Sequence, residues 1–227
     1  METLTRIPFS LDTGELMTEA RIEAGSTDAA EFDALVELAR KIGKPKAGYA
    51  VCFITGRDGD TVSIDGTGFR SRTLAHNLAS VERVFPHVAT CGEEMDRGFP
   101  AKGDMLKEFW WDLIKTRLLF AADQHLNDHL QRKFRLGKTV TMRPGSGDAA
   151  VWPIEQQREL FLLLGDVEKE LGVQLTESFL MAPNKTISGI LFPTEADFRS
   201  CEVCHRENCP SRHAAFNRKL WEELQLE

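Results

Sequence analysis

Residues 153–192 read PIEQQRELFLLLGDVEKELGVQLTESFLMAPNKTISGILF. The first half has helical spacing. Ile154, Phe161, Leu164, Val167 and Leu171 fall on one face. Pro153 suits a first turn, where its missing N–H is not needed, and Gly172 follows the last apolar position as a stop. These features predict one helix over 153–171. The second half changes period. Val173–Met181 and Thr186–Phe192 read as two strands around the turn residues Pro183-Asn184-Lys185.

Working outward, a helix is expected over Asp28–Ile42, with Asp28 as cap, Glu31 three residues on, and Phe32, Leu35, Val36, Ala39 and Ile42 on one face. Ala47–Thr55 and Thr61–Asp65 read as strands, Ser71–Val81 as a helix capped by Ser71, and Arg83–Thr90 as a strand. The longest helix is expected from Asp104 to about Phe134. Leu118, Ala122, Leu126, Leu130 and Phe134 recur every four residues, and Leu106, Trp110, Leu113 and Ile114 extend the stripe. A last helix fits Ser211–Leu226. Helices and strands mix without βαβ alternation. The expected fold is therefore α+β, a single domain with a largely antiparallel sheet flanked by long helices. Residues 1–200 are read as that domain and 201–227 as a C-terminal appendage.

The chain has 227 residues, enough to bury a sizeable core. Its net charge of -7 gives no basic face for nucleic acid. No run approaches the roughly 20 apolar residues of a membrane helix, and Met1–Leu11 does not read as a secretory signal. A cytoplasmic protein is expected. Gly66-Thr67-Gly68 is too short for a phosphate-binding loop.

Leu175-Thr176-Glu177-Ser178-Phe179, followed by Met181, Pro183, Ser188-Gly189 and Phe192, resembles the C-terminal signature of the activation domain of cobalamin-dependent methionine synthase. Met142-Arg143-Pro144-Gly145-Ser146-Gly147 is similar to the arginine–proline loop of that family, and Trp152–Gln157, Ala89-Thr90-Cys91-Gly92 and Gly103-Asp104 match landmarks of its short, free-standing members. The likeness spans roughly residues 45–195. It implies reductive reactivation of a corrinoid methyltransferase by presenting S-adenosylmethionine to cob(II)alamin. The cobalamin would be carried by a partner, since the chain has no Asp-x-His-x-x-Gly ligand motif. It implies a ligand loop of Arg143, Pro144, Gly145 and Gly147, a pocket shaped also by Ser188 and Gly189, and an acid on the long helix, Asp123 or, one turn along, Asp128. A ferredoxin or flavodoxin would supply the electron.

Arg143 has the planar fork that grips a carboxylate through two bonds; the alternative is a surface arginine in a glycine-containing turn. Asp148 stands where the family has a tyrosine, and Ile190-Leu191 where it has an aromatic residue. A second function therefore stays open, a non-catalytic corrinoid-protein docking module that does not bind S-adenosylmethionine. Lys185 meets a corrin amide or acidic partner, or only decorates its turn. His125 and His129, four apart on a helix, read as a polar face.

Three of five cysteines form a C-x2-C-x4-C run, Cys201, Cys204 and Cys209, closed by Pro210 and Arg212. Thiolates at such spacing suit an iron–sulfur cluster or zinc. His205, His213, Cys91 and Cys52 are the candidates for a fourth ligand, and three unliganded thiols are the third reading.

Overall fold

The computed structural model describes residues 1–209 and 212–226. The predicted helix start at Ser211, and Pro210 of the cysteine run, lie outside the described residues. In chain order the elements are β1 (Glu2–Leu4), α1 (Thr13–Ala20), α2 (Thr27–Ile42), β2 (Lys46–Tyr49), β3 (Cys52–Asp58), β4 (Thr61–Ile64) and β5 (Thr67–Arg70). Then come α3 (Arg72–Asn77), β6 (Arg83–Thr90), α4 (Glu93–Arg97), α5 (Met105–Phe134) and β7 (Thr139–Met142). The remainder are α6 (Gln157–Leu164), α7 (Val167–Leu171), β8 (Gln174–Leu175), β9 (Met181–Ala182), β10 (Thr186–Pro193) and α8 (Arg218–Glu223).

The fold is α+β with an antiparallel sheet, as the pattern implies. β6 is its centre. β10 pairs along one edge of β6, from Thr186↔Thr90 to Leu191↔Phe85, and β7 pairs with the far side of β10. Along the other edge, β2 and β3 run end to end, with Lys46↔Thr90 to Tyr49↔His87 followed by Cys52↔Val84 and Phe53↔Arg83. The expected single strand over 47–55 is therefore interrupted at Ala50–Val51 but keeps one course. β4 and β5 continue the sheet beyond β3, and β1 edges β2.

Alternation along β6 separates two cores. Phe85 and Ala89 face α5, where Leu119, Ala122, Leu126 and Leu130 cover them. Val84 and Val88 face Leu160 and Leu164 of α6 and Val167 and Leu171 of α7. The N-terminal half of α5 packs Trp110, Ile114 and Leu118 against Phe32, Val36 and Ala39 of α2. Fully burying one such side chain contributes about 1.5–3 kcal/mol, so the long helix is held by its stripe. Leu106, expected in that stripe, is exposed.

The predicted helix over 153–171 is broken. Ile154–Gln156 is a single 3-10 turn, α6 ends at Gly165 with φ 84° and ψ -138°, and Asp166 caps α7 through the amide of Lys169 at 3.1 Å. The apolar stripe continues through the break, which is why periodicity alone reads as one helix. Ser26, rather than Asp28, caps α2. Val173–Met181 is not one strand: β8 and β9 form a two-stranded hairpin. The final helix is short, but Phe198, Val203, Leu224 and Leu226 of the C-terminal segment are buried in the same core as Trp152 and Ile190. No helix of the described residues is long and apolar enough to cross a membrane.

Candidate functional site

Arg143 is the first residue beyond β7. Because strand side chains alternate, it shares with Thr141 the face that looks toward α5. Gly189 of β10 lies beneath it. A Cβ at Gly189 would stand 2.6 Å from the carbonyl oxygen of Met142 and 3.0 Å from Cγ of Arg143. Only a residue without a side chain lets the guanidinium stem cross the sheet there. Gly189 is paired with His87 of β6, so His87 belongs to the same face.

From α5, Asp123 points back at this spot. Its Oδ1 is 3.7 Å from Nη2 of Arg143. That is an ion-pair separation but too long for a hydrogen bond. Asp123 Oδ1 and Arg143 Nε are both buried and have no hydrogen-bond partner among the described residues. Unsatisfied buried polar atoms are uncommon and costly, which marks the pair as the candidate site. Burial pushes the Asp123 carboxyl above its ordinary value, against the pull of Arg143.

His87 is 1% exposed, and its Nδ1 lies 3.1 Å from the carbonyl oxygen of Phe85. Burial, reinforced by the nearby charge of Arg143, lowers its pKa to about 4. The imidazole is therefore neutral at pH 7 and adds no second positive charge. Sequence reading missed His87; the available signal is one polar residue inside an otherwise apolar strand.

The loop after Arg143 turns on two glycines, Gly145 with φ 75° and Gly147 with φ 91°, over buried Pro144. The amide of Gly145 donates to the carbonyl of Trp152 at 2.8 Å, and Trp152 is fully buried against Phe69. Asp123, not Asp128, faces Arg143; Asp128 lines a separate groove with Arg117, Phe120 and His125. Ser188 is on the opposite face of β10, where its Oγ donates to Gln157 Oε1 at 2.7 Å. It supports α6 and does not join the Arg143 cluster. Lys185 is held by Asp112 at 2.7 Å. His129 is engaged by the Tyr49 hydroxyl at 3.1 Å and Glu2 at 3.4 Å.

The cysteine run lies against the loop. A Cβ at Gly147 would sit 3.5 Å from Cβ and 3.9 Å from Sγ of Cys204. Asp148 Oδ2 accepts from both the amide and Nδ1 of His205, at 2.8 and 2.9 Å. Cys201, Cys204 and Cys209 are half-buried. Among the described residues, no three His, Cys, Asp or Glu side chains are grouped closely enough to hold a metal ion, so the three thiols do not converge on one centre. Cys52 and Cys91 are core residues whose thiols burial pushes up to about 12, which disqualifies them as ready thiolates.

No curated protein sequence matches the chain. Among solved structures, the MetH reactivation domain bound to AdoHcy is similar in fold, with a TM-score of 0.57 and 18% identity over 85% of this chain and 73% of that one. The family model for the vitamin B12-dependent methionine synthase activation domain matches residues 93–212. That match takes in α4, α5, the Arg143 loop, β10 and the cysteine run, more than half of the sequence. The chain belongs to the family of vitamin B12-dependent methionine synthase activation domains.

Proposed function

We propose that this protein reactivates a corrinoid methyltransferase of the methionine synthase type by holding S-adenosylmethionine against the cob(II)alamin of that partner. A one-electron donor of the ferredoxin or flavodoxin class supplies the electron. The observation that carries this reading is the Arg143–Asp123 pair, two opposite charges 3.7 Å apart with unpartnered buried atoms. S-adenosylmethionine presents a carboxylate, an ammonium and a sulfonium, and when bound it supplies the methyl group. Arg143 matches the carboxylate and Asp123 the positive groups. Neutral His87 adds no repulsion toward the sulfonium, and Gly145 and Gly147 bring backbone close to the ligand. Family membership supports the corrinoid partner, and the similar MetH reactivation domain was solved bound to AdoHcy.

Calorimetric titration tests this. The protein should bind S-adenosylmethionine and AdoHcy, and Arg143→Ala should weaken both by about 10- to 100-fold, the worth of a charge-assisted hydrogen bond. Binding of a corrinoid-carrying partner with no affinity for either ligand would replace this reading with the docking module. Asp148, where the family has tyrosine, already accepts two bonds from His205; that is the feature on which the rival reading rests.

A further inference from the structure

We propose that Cys201 and Cys204 form a reversible dithiol–disulfide site, a sensor of hydrogen peroxide set against the Arg143–Asp148 ligand loop. The thiol chemistry stands apart from the reactivation reading; its consequence for ligand binding rests on that reading.

Residues 200–203 form a 3-10 turn. Glu202 and Val203, the two residues between the cysteines, both lie within it. With three residues per turn and about 2 Å of rise per residue, positions three apart eclipse, which sets the two Cα atoms roughly 6 Å apart. That falls inside the range of about 4.4–6.8 Å that a disulfide spans. One cation pins the same separation. The Arg212 guanidinium donates to the carbonyl of Cys201 at 3.1 Å and to that of Cys204 at 2.8 Å. Cys209 lies outside the turn. Cys201 and Cys204 are partly accessible, whereas Cys52 and Cys91 are buried. Exposed disulfides are the labile, regulatory kind.

Cys201 is the attacking sulfur. The amide of His213 donates to its Sγ at 3.4 Å, and such a donor supports the negative charge that attack requires. The sulfur attacks one oxygen of hydrogen peroxide. An S–O bond forms, the O–O bond breaks, and hydroxide leaves with the thiol proton as water. Cys204 then attacks the resulting sulfenic acid. The S–S bond forms, the S–O bond breaks, and a second water leaves. The two thiols lose two electrons and two protons, and a small dithiol returns them. Cys204 Sγ also rests against the ligand loop, 3.9 Å from where a Cβ on Gly147 would stand. Its bond to Cys201 is therefore felt at that loop.

The test is thiol mapping on the full chain. Reduced protein is treated with a small excess of hydrogen peroxide, blocked with iodoacetamide, digested and weighed. The peptide 200–206 should lose both alkyl groups together, and dithiothreitol should restore them. Cys204→Ser should stop at a sulfenic acid on Cys201, captured by dimedone, and Cys209→Ser should leave the bond unchanged. If a serine variant does not fold, the wild-type map decides alone. Alkylation of both cysteines after peroxide, or a bond to Cys209 or to a second chain, overturns the proposal. S-adenosylmethionine affinity should fall at least three-fold on oxidation; equal affinity in both states overturns the sensing role. Reduced protein that does not bind S-adenosylmethionine overturns the reactivation reading and leaves the thiol map standing.

Discussion

Arg143 arrives from the end of β7, Asp123 from α5, His87 from β6 and Gly189 from β10, so elements distant in sequence fix one cluster. The three thiols beside it come from a single nine-residue loop, tied mainly by backbone carbonyls to Arg212. The first region is set by the sheet and by α5. The second has its backbone fixed, while its three thiols do not converge on one centre. A ligand that must be oriented calls for the former, because preorganisation avoids an ordering cost at binding.

The contrast can be broken most strongly from below the ligand loop. Trp152 is 0% exposed, and its Nε1 donates to Gln156 at 3.2 Å. Trp152→Ala should cost about 3–5 kcal/mol in urea unfolding, and should weaken S-adenosylmethionine binding more than it lowers the hydrogen-exchange protection of the Cys201–Cys209 amides. Equal losses would show that the two regions are one unit.

Next comes pH. The unfolded chain protonates His87 near 6.5 and the folded chain only near about 4. Its stabilising contribution is complete above pH 6.5 and is lost as pH falls toward 4, by about 3 kcal/mol. Urea midpoints across that range should be steep for the wild type and flatter for His87→Gln. Parallel curves would remove His87 from the buried cluster.

Gly189→Ala follows, since its Cβ would press on the Met142 carbonyl at 2.6 Å and on the Arg143 stem. Overpacking of this kind costs about 1–3 kcal/mol, and ligand affinity should fall with it while the Cys201–Cys209 amides keep their protection from hydrogen exchange.

Asp148→Asn should be the mildest. The His205–Asp148 pair is partly exposed, and such pairs are worth about 0.2–1 kcal/mol. A small shift in melting temperature with unchanged hydrogen-exchange protection of the Cys201–Cys209 amides is expected; loss of that protection would make Asp148 a main tether of the loop.

What the sequence made legible follows the same divide. α5, β6 and β10 are the long elements, and their reading as one helix and two strands holds, while the pairing of β6 with β10 emerges only in the structure. β1, β7 and α1 have too few residues to show a period, and none was expected. The break at Gly165 hides inside an uninterrupted apolar stripe. Arg143 is singled out by its loop motif, and the structure sets it opposite Asp123. The turn of Ser188 away from it and the entry of His87 depend on strand register, which motif spacing does not carry. The cysteine run was legible as a motif, but its docking on Gly147 and Asp148 comes from tertiary packing.

The most direct measurement of the central claim is a remethylation assay. A methionine synthase lacking its own activation domain, in the cob(II)alamin state, is mixed with this protein, reduced flavodoxin and methyl-labelled S-adenosylmethionine. The visible spectrum and the label on the corrinoid are then followed. The account predicts methylcobalamin formation that requires this protein and falls at least ten-fold with Arg143→Ala. Methylation at the same rate with and without the protein, or unaffected by Arg143→Ala, would contradict it.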